Sequence, residues 1–109
     1  MIESLIIWLV IGAIALLLLS SQAHGQGVLV SGTVTDRFGR PVPGVAVSLI
    51  HPQFGRSAPA FTDGFGQYSL WSIPPNSAPY FIEVYWGYQL IYRQQLVVGG
   101  PLIWNIRVQ

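Results

Sequence analysis

The chain has 109 residues, of which 8% are charged and 51% hydrophobic, with a formal net charge of +1 and no cysteine. This leaves room for one small domain and excludes a disulfide framework, a thiolate nucleophile and a Cys-ligated metal. It also gives no electrostatic footprint for nucleic acid and no polybasic membrane patch. Stability must therefore come from packing, and five Phe, four Trp and five Tyr can supply it, since each ring buries roughly 150–250 Å².

Leu5 to Leu19 (LIIWLVIGAIALLLL) carries no charge. Two readings are open for residues 1–23. As a signal peptide, the length suits an apolar h-region, and Ser21-Gln22-Ala23 offers small residues for cleavage after Ala23. As a retained transmembrane helix, Leu5 to Ala23 would span about 28 Å, close to the ~30 Å of a bilayer core. Met1-Ile2-Glu3-Ser4 lacks Lys and Arg, which favours the anchor. Arg37 and Arg40 lie beyond the segment and would draw the body inward by the positive-inside rule. They sit within a folded domain, so the expected body is extracytoplasmic, either anchored or, after cleavage, secreted or periplasmic. Residues 24–27 read as a linker and 28–109 as the domain.

The body alternates in short β-runs. Val28 to Thr35 places Val28, Val30 and Val34 on one face, and Asp36-Arg37-Phe38-Gly39 follows as a turn. Val45 to Ile50 is a second run. Phe61-Thr62 leads into the turn Asp63-Gly64-Phe65-Gly66 and then Gln67 to Leu70. Ile73-Pro74-Pro75-Asn76 breaks the sheet, because Pro cannot donate to a ladder. In Tyr80 to Trp86, Ile82, Val84 and Trp86 should face one way and Phe81, Glu83 and Tyr85 the other. Gln89 to Val98 reads as one long strand, or as two halves with a bulge near Gln94-Gln95. After Gly99-Gly100-Pro101, Leu102, Trp104, Ile106 and Val108 should point inward. About seven short strands with no helical period predict an all-β, antiparallel Greek-key sandwich behind one apolar helix.

Ser31 to Gly44 (SGTVTDRFGRPVPG), Thr62 to Leu70 (TDGFGQYSL), Ile73-Pro74-Pro75, Tyr80-x-Ile82-x-Val84 and Gly87-Tyr88 occur in an order that resembles the carboxypeptidase regulatory-like domain. The resemblance covers nearly all of the body and implies a transthyretin-like sandwich. It further implies a folding, interaction or carbohydrate-contact module rather than an enzyme. Asn76 stands where that pattern has Gly, and three extra residues precede Tyr80. The related hydroxyisourate hydrolases use a Tyr-Arg-Gly-Ser ending, whereas this sequence runs Asn105-Ile106-Arg107-Val108-Gln109.

The remaining polar residues read as structural. His24 lies beside the cleavage point, and His51 reads as a solvated loop histidine; neither has partners at metal-ligand spacing. Asp36 and Asp63 read as caps of their own turns. No serine has an activating base. Expected are no catalytic, cofactor or metal residues. The strand parity instead predicts an outward aromatic surface of Trp71, Phe81, Tyr85 and Ile103, with Tyr88 and Tyr92 near its rim. On a chain with so little charge, such a surface is expected to be covered by other subunits of a membrane complex. The alternative is a secreted or periplasmic module that binds glycan, by stacking on these rings, or peptide after signal cleavage.

Overall fold

The computed structural model describes residues 27–109; the helix expected within 1–23 and most of the linker lie outside the described residues. The rest is all-β: β1 (Val28–Thr35), β2 (Ala46–His51), β3 (Gly55–Arg56), β4 (Ala60–Phe61), β5 (Gln67–Ile73), β6 (Asn76–Trp86), β7 (Gln89–Val98), β8 (Leu102–Ile103) and β9 (Ile106–Arg107). Two sheets form the sandwich. In the first, β1 lies between β5 and the pair β8 and β9; in the second the order is β3-β2-β6-β7, with β4 also on β2. Between them lies one core. Val30 and Val34 of β1, Val47 and Leu49 of β2, and Ile82 and Val84 of β6 are all 0% exposed. Each such side chain stabilises the fold by about 1.5–3 kcal/mol relative to exposure.

Five details differ from the sequence expectation. The sandwich is not wholly antiparallel, because β8 and β9 run parallel to β1. The closing segment is split there: Trp104 N–H bonds the Ser31 carbonyl, and the Asn105 side chain accepts the Thr33 N–H at 3.1 Å. A Cβ on Gly32 would fall on the Trp104 carbonyl, so the crossing needs that glycine. Next, β6 begins at Asn76 rather than Tyr80, since an irregularity between Asn76 and Tyr80 absorbs Pro79. The bulge of β7 lies at Ile91, not Gln94-Gln95, because Val84 pairs with Tyr92 and Tyr85 with Leu90. Trp86, as the last residue of β6, has little core left to enter and is exposed instead of inward. Finally, His51 is 1% exposed, not solvated. It ends β2 against Phe54 and Tyr80, at ring separations of 4.5 and 4.7 Å, and its Nδ1 accepts the Gln53 N–H.

The sheets are joined at one end by the segment from Thr62 to Gly66. The buried Thr62 hydroxyl donates to the Val42 carbonyl at 2.7 Å and accepts from Val45 N–H at 3.0 Å. Its main chain bonds Gly44 and Val45, while the Gly66 carbonyl accepts from Val34 N–H. Gly66 has φ of 75°, and a Cβ there would lie 2.5 Å from the Val34 carbonyl. Gly66→Ala therefore combines left-handed strain with overpacking and should cost about 2–5 kcal/mol. Gly64 has open space, so Gly64→Ala should stay within about 0.5 kcal/mol. Urea unfolding of both variants checks the pair; equal midpoints would contradict this account of the junction.

Candidate functional site

The six residues expected to form one surface are separated by the fold. Phe81 and Tyr85 lie on β6 in the second sheet, whereas Trp71 and Ile103 lie on β5 and β8 in the first. Since all four face away from the shared core, they occupy opposite sides of the sandwich. Tyr92 is half-buried against the core, and its hydroxyl accepts the Trp104 indole N–H at 3.3 Å. Tyr88 is fully exposed in the turn between β6 and β7.

On the second sheet, Phe81 and Tyr85 flank Glu83, which is only 7% exposed although it points outward. Its carboxylate is covered by Arg56 at 3.0 Å and Arg93 at 3.5 Å, and it accepts the Tyr85 hydroxyl at 3.2 Å. The Arg93 guanidinium also lies 4.3 Å from the Phe81 ring centroid, within cation–π range. These contacts tie the strand rows together, and two cations on one carboxylate leave an excess positive charge. The outer face of the first sheet carries Arg107 at one end and is otherwise uncharged along its strands. Ser31, Thr33, Gln67, Ser69, Ile103 and Asn105 border a shallow recess of about 280 Å³.

The most exposed rings beyond these were missed by strand parity, because they sit on turns. Asp36-Arg37-Phe38-Gly39 and Asp63-Gly64-Phe65-Gly66 fold alike. Asp36 Oδ1 accepts from Phe38 N–H at 2.8 Å and Arg40 N–H at 3.0 Å. Asp63 Oδ1 accepts from Phe65 and Gln67 N–H, both at 2.9 Å. Gly39 and Gly66 then take φ of 80° and 75°. Each turn aims its phenylalanine into solvent, 66% exposed at Phe38 and 76% at Phe65. The repeated Asp-x-Phe-Gly pattern was the available signal. A ring between a capping Asp and a left-handed Gly has no core to enter.

Strand directions bring these turns together. Thr33 pairs with Gln67, and Ala46 pairs with both Phe61 and Tyr85. The end of β1, the start of β2, the end of β4, the start of β5 and the β6–β7 turn therefore share one end of the sandwich. That end carries exposed Phe38, Phe61, Phe65, Trp86 and Tyr88. The chain enters β1 from the other end.

The family model of the carboxypeptidase regulatory-like domain matches residues 29–109. The chain belongs to this family. Its domains are regulatory or binding modules without catalytic function. Among solved structures, the crystal structure of a DUF3823 family protein from Parabacteroides merdae is similar, with a TM-score of 0.55 and 16% identity. That similarity covers 75% of this chain and 45% of the other, so the chain spans less than half of that protein and shares its fold. No curated protein matches the sequence.

Among the described residues no group of three or more His, Cys, Asp or Glu side chains could hold a metal. Burial pushes the Tyr68 and Tyr80 hydroxyls above their ordinary range. Both stay protonated and donate, to the Trp104 and Pro74 carbonyls. At Asp36, desolvation opposes ionisation, but the Arg40 and Phe38 N–H groups and the Arg40 side chain outweigh it and hold the carboxyl below its ordinary value. A depressed folded pKa adds stability above the unfolded value near 4, lost as pH falls through the folded one. Asp36→Asn can keep the turn bonds but not the charge. Its urea midpoint should fall less between pH 5 and pH 2.5 than that of the wild type; parallel declines would contradict the assignment.

Proposed function

We propose that the protein is a non-catalytic interaction module, held on the extracytoplasmic side of a membrane by residues 5–23, that serves as a small accessory subunit of a larger membrane complex. The observation that carries this reading is the collection of exposed rings at one end of the sandwich, opposite the entry of the chain. The eight residues of β1 extend about 26 Å, whereas the four-residue linker 24–27 reaches at most ~14 Å. Rings at the far end are therefore held away from the bilayer of the proposed anchor and offered to another protein. Aromatic anchors of this kind dominate protein interfaces. Arg37 and Arg40, with guanidinium carbons 4.7 and 5.0 Å from the Phe38 ring centroid, supply a polar rim.

The glycan reading has less support. The neutral recess of the first sheet has hydrogen-bonding groups, but Trp71, the ring best suited to stack on a sugar, lines a different part of the surface. A soluble form cleaved after Ala23 would carry the same aromatic end.

The test is the size of the assembly extracted from native membranes in mild detergent. The wild-type chain should migrate well above a single copy. The combined variant Phe38→Ser, Phe65→Ser, Tyr88→Ser should bind at least ~30-fold more weakly, taking ~2 kcal/mol as the loss at one interface hot spot, and should run as a free chain with an unchanged circular dichroism spectrum. A wild-type monomer, or a variant that stays in the assembly, would contradict the proposal.

A further inference from the structure

The two sheets part along one side of the sandwich. There β5 is the edge of the first sheet, paired among the described residues with β1 alone, and β3 and β4 are short strands at the edge of the second. The segment from Thr62 to Gly66 holds β4 near β5 at the far end; toward Trp71 a groove opens between β5 and the stretch Arg56–Ala60. It contains two adjoining cavities of about 220 and 250 Å³ that share Ser57, Ala58, Trp71 and Ile73 as walls. Phe54 and Tyr80 close the first cavity, and Pro59 and Leu70 border the second.

Three further features concern this groove. Ser72, in its wall, is the one non-glycine residue with positive φ among the described residues, at 57°. This left-handed step is unfavourable for a residue with a Cβ. It lets Ile73 return to the core while Trp71, 70% exposed, stays beside the cavities. Second, the outer edge of β5 offers alternate N–H and C=O groups that no described strand takes up. Third, Arg56 lines the first cavity and shares its single counter-ion, Glu83, with Arg93. The described domain carries Arg37, Arg40, Arg56, Arg93 and Arg107 against Asp36, Asp63 and Glu83, so an incoming anion meets a net positive partner.

We infer that this groove binds an extended peptide segment of a partner protein, which pairs with the free edge of β5. The segment places apolar side chains at alternate positions in the two cavities and an acidic side chain at Arg56. Alternation follows from strand geometry, since successive side chains of an added strand face opposite sides. Main-chain pairing would provide affinity, and the two cavities with Arg56 would provide selectivity. This site lies on the side of the sandwich and does not depend on the aromatic end.

The experiment is selection of a randomised heptapeptide library against the full chain in detergent micelles, followed by titration of the selected peptides as synthetic compounds. Enriched peptides should alternate apolar residues and carry Asp or Glu. Their amide perturbations should map to Gln67–Ile73. Affinity should fall at least tenfold in Trp71→Ala and in Arg56→Gln and vanish when alternate peptide nitrogens are methylated. Trp71 is exposed and Arg93 still faces Glu83 in Arg56→Gln, so both variants should fold. The combined Phe38, Phe65 and Tyr88 variant should bind the peptides unchanged, which separates this site from the aromatic end. No enrichment, or peptides that bind Trp71→Ala and Arg56→Gln as well as the wild type, would overturn the proposal.

Discussion

Both sheets depend on the main-chain junction between Thr62 and Gly66. A two-sheet sandwich of this size buries little surface, and its apolar core is non-directional. The junction supplies the direction. Thr62 fixes the start of β2 through Val42, Gly44 and Val45, and Gly66 fixes the end of β1 through Val34. With those two points tied, the sheets cannot slide past each other without breaking buried hydrogen bonds, each costing about 1–3 kcal/mol if left unmade. The same tie sets the turns of Phe65 and Phe38 at one end. The feature that holds the sandwich closed therefore also builds the aromatic end that we propose as the partner surface.

The distribution of charge fits a domain that works by contact. Its carboxylates are engaged in structure: Asp36 and Asp63 shape turns, and Glu83 is clamped by two arginines on the outer face of the second sheet. Around them lie exposed rings and neutral hydroxyl and amide groups. Such a surface favours burial against another protein, with arginines left to set orientation at the rim.

Much of the sandwich was legible from alternation. Val30, Val34, Val47, Leu49, Ile82, Val84, Ile106 and Val108 are buried where the period of two places them. The aspartate turns followed from Asp and Gly spacing. What alternation could not show was pairing partner and direction. The parallel run of β8 and β9 beside β1 rests on the contact of Gly32 with Trp104 across the sheet. The bulge at Ile91 is a property of two strands together, so it cannot be read from Gln89–Val98 alone. His51 read as a loop residue because Pro52 and Gly55 surround it; Phe54 and Tyr80 fold over it instead. The expected single surface is divided between the two sheets for a related reason. Parity says which side of a strand a ring occupies but not which sheet the strand joins, so Trp71 and Ile103 were grouped with Phe81 and Tyr85. The turn rings Phe38 and Phe65 lay outside any strand period.

The claim that the far end meets a protein while the entry end stays near the membrane can be tested by position-specific photo-crosslinking in native membranes. A crosslinking side chain at position 65 should attach to a distinct polypeptide, and one at position 99, in the turn after β7 at the opposite end and outside the side groove, should capture lipid or nothing. A protein adduct from position 99 with only lipid at position 65 would reverse the orientation and contradict the account.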